Sequence, residues 1–151
     1  MRGPFESDIL QFMVRNLLVP LMLIFGLHIV VHGEAYPGGG FPGGAMIGAS
    51  IILARMSLDR DQSHRLMSSE WALRLAIIGA AISLATGVIP GLLGADVLDY
   101  SALPVPDAVI DALTHFTLRS IGIFAFEAGI TITVAAVMVV IFDYLADYSN
   151  E

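Results

Sequence analysis

Apolar residues run almost without interruption through four stretches, at about 10–31, 41–58, 71–93 and 118–145, with polar or glycine-rich segments between them. A helix needs roughly 20 such residues to cross the hydrocarbon of a bilayer. The pattern therefore predicts an all-α integral membrane protein with four transmembrane helices, forming one membrane domain over 1–151. Pro20 interrupts the first helix, which a membrane helix tolerates when neighbouring groups satisfy the freed carbonyl. Trp71 stands where an interfacial aromatic belongs, and Pro90 with Gly91 breaks the third helix near its end. Before the last helix, Val105, Ala108, Val109, Ala112, Leu113 and Phe116 recur at helical spacing, with Asp107, Asp111 and His115 opposite. That alternation predicts a short interfacial helix.

Composition supports the membrane reading. Of 151 residues 56% are hydrophobic and 14% charged, and the mean hydropathy is +0.80, whereas a soluble domain is about 25% charged. There is no cysteine, which excludes disulfides, thiolate metal sites and cysteine nucleophiles. All seven basic residues are arginines, against 14 acids, for a net charge of −7. Nucleic-acid binding is excluded by that balance. The first apolar stretch has no clear small-residue cleavage site after it and is expected to be retained as a helix. Arg2, Arg15, Arg55, Arg60, Arg65 and Arg74 flank the start and the loop between the second and third helices, leaving Arg119 on the other side. The positive-inside rule then puts both termini in the cytoplasm.

Lipid tails are as apolar as leucine, so membrane helices associate through small residues and polar contacts. Such rows recur here: Gly40, Gly44 and Gly48; Gly79, Ser83, Gly87 and Gly91; Ala125, Gly129 and Thr133. They either pack the four helices on one another or present at least one smooth face to a second subunit. Four short helices have little room to bury all of them, which favours a partner.

Two features carry candidate chemistry. The connection HGEAYPGGGFPGG, residues 32–44, contains Pro37, Gly38, Gly39, Gly40, Phe41, Gly43 and Gly44 in a string that reads first as a sharp turn admitting close backbone approach. A second reading is a helix N-terminus with free amides for an anion. Glu127 lies inside the last helix, where an ionisable group costs several kcal/mol unless neutral, paired or beside water. Asp111, His115, Arg119, Ile123 and Glu127 are spaced four apart, which suggests a polar track toward that acid and a protonatable Glu127 on an ion path. The alternative is a hydrogen-bonded glutamate that helps helices associate. His28 and His32, with Glu34 beyond, are too few for a metal site, and no cofactor or catalytic triad is indicated.

The glycine string between the first and second of four membrane helices, together with Phe126, Glu127, Ala128, Gly129 and Ile130 in the last, resembles the MnhB/MrpB family over about 13–145. Two positions depart from the family's usual pattern, Pro42 where an aliphatic residue is commoner and glutamate at 127 where aspartate also occurs. The resemblance implies a non-catalytic small subunit of a multi-subunit Mrp-type Na⁺/H⁺ antiporter in the cell membrane, assembled with MrpA-, MrpC- and MrpD-like subunits and other small ones, with Na⁺ and H⁺ as the ions of the complex. An MrpB-like subunit in the sodium-translocating module of a membrane-bound hydrogenase is the alternative within transport. A self-sufficient four-helix exporter and a membrane-embedded enzyme are the rivals from other classes.

Overall fold

The computed structural model describes residues 8–33, 38–57, 68–104 and 117–148. Among these residues every regular element is helical. The first helix, α1, is continuous but changes winding: α-helical at Asp8–Met13, π-helical at Val14–Leu18 and α-helical again at Val19–Val31. It is followed by α2 (Gly40–Ser57), α3 (Ser69–Leu92), a single 3₁₀ turn at Tyr100–Ala102, and α4 (Leu118–Tyr148). Ser68 caps α3 by accepting from the Trp71 amide. Arg74 stacks over the Trp71 ring at 5.1 Å, which suits an aromatic at a headgroup boundary.

Among the described residues three helical spans are long and apolar enough to cross a membrane: Ile9–Val31, Ser69–Leu92 and Leu118–Ala146. At 18 residues α2 is the shortest of α1 to α4, and four of its first nine positions are glycine. It lies between α1 and α4, and the order across the molecule is α1, α2, α4, α3. Large apolar side chains point away from these contacts, among them Leu84 at 71%, Ile77 at 61% and Phe25 at 53% exposed. Such a surface needs a lipid or protein neighbour.

The small-residue rows explain this order. Gly44 sits on Thr131 and Val134 and Gly48 on Ala135, so α2 follows α4 in the same direction, turn by turn. A carbon built on Gly79 would stand 2.7 Å from the Gly129 carbonyl, which brings α3 and α4 into backbone contact. The hydroxyls there turn inward. Ser83 donates to the Phe126 carbonyl at 3.1 Å, and Thr133 bonds the Gly129 carbonyl at 2.8 Å. Gly87 and Gly91 are covered from within the chain, the first of the two uses expected for such rows. The segment 93–104 folds back over them, setting Leu98 on Gly87 and Val97 on Gly91. The Leu98 amide bonds the Gly87 carbonyl at 3.0 Å, and Leu98 adopts φ 70°, uncommon outside glycine.

At the opposite end of the bundle, three helices are tied by one buried cluster. Arg55 of α2 forms an ion pair with Asp143 of α4, and the Ser69 hydroxyl of α3 donates to the other Asp143 oxygen at 2.8 Å. Arg55 and Asp143 are 5% and 6% exposed. Removing one member of such a pair leaves a charge buried without compensation. Asp143→Ala is expected to destabilise the fold by about 3–5 kcal/mol, read as a lower unfolding temperature in detergent, whereas Ser69→Ala should cost about 1–3 kcal/mol.

Candidate functional site

At the other end of α2, the chain turns through Gly38 and Gly39 before the helix begins at Gly40. Gly39 has φ 112°, a conformation that side chains strain. The turn is needed because Glu127 lies against it. A carbon built on Gly39 would be 3.2 Å from Glu127 Oε1, and one built on Gly33 would be 2.7 Å from Oε2. Gly40 faces the Glu127 main-chain carbonyl directly. Thr131, one turn along α4, shares its hydroxyl hydrogen between that carbonyl at 2.8 Å and the Gly40 carbonyl at 3.2 Å. Three glycines thus form a cradle with no side chain to hold the carboxylate off. Gly43, next along α2, packs on Val30 and the Gly26 carbonyl of α1, so the turn is fixed from both sides.

The folded-back segment supplies the other wall. Tyr100 packs over Gly122, and its ring lies 6.0 Å from that of Phe126. Burial pushes the Tyr100 phenol above its ordinary value, and the negative charge of Glu127 adds to the shift. Tyr100 therefore stays protonated as a neutral donor in the neighbourhood of the carboxylate. Beside it, hydrogen bonds from Ser101 hold Asp99 below the usual carboxylate range, with a smaller contribution from the Arg119 charge. Arg119 is exposed two turns before Glu127 on α4.

The structure thus brings together two features separated by almost ninety residues, the glycine turn and Glu127. Of the sequence-derived candidates, Gly38, Gly39, Gly40, Phe41, Gly43, Gly44 and Gly48 lie on the turn and on α2, while Gly79, Gly87 and Gly129 lie at the α3 contacts. Pro37, Asp111, His115 and the expected interfacial helix fall outside the described residues. His32 Nδ1 lies 3.1 Å from the His28 carbonyl and the two rings are 4.1 Å apart, so both are engaged with each other's turn. Among the described residues no group of three or more metal-ligating side chains converges. Tyr100 was not legible as a site residue, because only the fold-back of its segment brings it to Glu127.

The model of the domain related to the MnhB subunit of Na⁺/H⁺ antiporters matches residues 9–140, which include the turn, Glu127 and the Arg55 anchor. The chain belongs to the MnhB family. It is 31% identical over 140 residues to a candidate antiporter subunit named mnhB2 from Staphylococcus haemolyticus, covering 90% of this chain and 92% of the relative. The mnhB2 proteins of Staphylococcus epidermidis RP62A and Staphylococcus aureus MRSA252 are 29% and 26% identical, over 90% and 85% of this chain and 92% of each relative. As an MnhB-family chain it is a membrane-associated component of a transporter assembly.

Gly39→Ala combines a strained φ with contact against Oε1 and is expected to cost about 1–3 kcal/mol. It should lower the amount of assembled complex recovered in mild detergent, while Gly94→Ala should leave recovery closer to wild type. A carbon on Gly94 meets nothing within 4 Å, although its φ of 90° is also strained, so the difference between the two variants isolates the crowding of Glu127.

Proposed function

We propose that this chain is a non-catalytic small subunit of a multi-subunit Mrp-type Na⁺/H⁺ antiporter, and that Glu127 exchanges protons or orders a polar junction at the edge of its ion path. The family match over residues 9–140 carries the assignment to the antiporter. The lodging of the Glu127 carboxylate on Gly33 and Gly39 carries the choice of residue. A charge at that depth in a membrane helix is costly unless it serves a function or is neutralised.

The same geometry argues for a part rather than a whole transporter. From Glu127 to Asp143 is 16 residues, about 24 Å of helix rise, and no ionisable residue lies between them on α4. Ala135 and Val139 are buried in that interval, and Thr131 and Thr133 bond backbone carbonyls. An ion reaching Glu127 must therefore leave by the same end or pass sideways to a neighbour. MrpA-, MrpC- and MrpD-like subunits are the partners we assign to that neighbour. The chain is read as one membrane domain crossing the cytoplasmic membrane four times. Support for the α2 crossing comes from its running beside α4 from Gly40 against Glu127 to Arg55 against Asp143, about 23 Å of rise. Arg15, Arg55 and Arg74 lie toward one end and Arg119 toward the other, which supports placing the starts of α1 and α3 on the cytoplasmic side.

The test is antiport by the whole complex in everted membrane vesicles from a host without other antiporters. Glu127→Ala is expected to abolish or strongly reduce Na⁺-driven proton movement. Loss in Glu127→Gln as well would assign proton exchange to the carboxylate, and retention in Glu127→Gln would assign a polar structural role. Unchanged antiport in both variants would end the proposal for this residue.

A further inference from the structure

Pro20 is the second residue of the α-helical segment that completes α1, and it has no N–H to give. In regular winding its ring would also press on the carbonyl of Asn16, four residues back. The helix instead widens over Val14–Leu18 into π winding, a form that is rare and found disproportionately at functional sites. Bonds from i to i+5 bring residues four and five apart onto one side, so Arg15 and Asn16 both come to stand over Gln11. Together with Phe12 and with Ser57 at the end of α2, they line a cavity of about 200 Å³, open on one side.

That cavity is polar on a helix whose exposed surface is largely apolar. Arg15 is exposed, and among the described side chains no carboxylate is ion-paired with it. Asn16 uses one amide hydrogen on the Phe12 carbonyl at 3.1 Å and keeps a second. Ser57 donates to the Ala54 carbonyl at 2.8 Å, which leaves its oxygen as an acceptor. The position is two turns from the start of α1, where an arginine reaches the headgroup boundary by snorkelling.

We infer that this cavity binds the headgroup of an anionic phospholipid. Arg15 and Asn16 donate to the phosphate oxygens, and Ser57 accepts from a hydroxyl of the headgroup, which favours a glycerol-bearing lipid over a choline one. Arginine is the side chain best suited to a phosphate. The acyl chains of such a lipid would lie along the exposed apolar residues of α1. The site is independent of Glu127 and of whether that residue moves protons.

The experiment uses the complex containing the full chain, extracted in mild detergent. Native mass spectrometry should find phosphatidylglycerol retained on the wild type and its occupancy reduced by one lipid in Arg15→Gln, with Arg15→Lys intermediate. Affinity for that lipid should fall about tenfold in Arg15→Gln, the worth of one charge-assisted hydrogen bond. A second arm needs no variant: after delipidation, added phosphatidylglycerol should raise the unfolding temperature and phosphatidylcholine should not. Equal retention of phosphatidylglycerol by wild type and Arg15→Gln would overturn the proposal. So would an equal response to both lipids, or an equal rise with inorganic phosphate alone, which would assign the cavity to a free anion. Cross-linking of an Arg15→Cys variant to an acidic position of another subunit, with no lipid retained by the wild type, would assign it to a protein neighbour instead.

Discussion

Where α2 runs against α4, backbone lies on backbone: Gly40 on the Glu127 carbonyl, Gly44 on Thr131 and Gly48 on Ala135. In lipid there is no hydrophobic gain from bringing two apolar helices together, so the contact is held by dispersion at short range and by carbonyls that find hydroxyl partners. A side chain at Gly40 or Gly44 would meet α4 backbone too closely for the helices to stay in place, and one at Gly48 would be tight at 3.2 Å. The rest of the molecule depends on that proximity. It carries the turn before α2 underneath Glu127 at one end, and at the other it delivers Arg55 to Asp143 and Ser69.

The two ends of α4 consequently hold its acids in different ways. Asp143 meets a cation and a hydroxyl in a buried site, an arrangement that fixes helix positions. Glu127 meets three glycines, a neutral phenol nearby and an exposed arginine two turns away. The glycines give its carboxylate room that a side chain would take. The interval between the acids is sealed by Ala135 and Val139.

Much of this organisation was legible in one dimension. The apolar runs place the helices, the four-residue spacing of small residues identifies the contact faces, and the glycine string with the membrane glutamate carries the likeness to the MnhB family. What a linear pattern does not contain is which face meets which. Arg55 reads as one of several topology-setting arginines and nothing in the sequence singles out Asp143, 88 positions away, as its partner. Gly87 and Gly91 read only as part of a small-residue row, because nothing local announces that Val97 and Leu98 return to fill them through a backbone bend at Leu98. Pro20 announces a disturbance in α1, but whether the helix kinks, breaks or widens is decided by what surrounds it.

The order α1, α2, α4, α3 has a further consequence. Rods set side by side in this sequence make a palisade with two broad flanks and very little inside, and the flanks are where the bulky leucines, isoleucines and phenylalanines stand. A polypeptide of such a shape gains most of its area of touch from whatever lies on either flank.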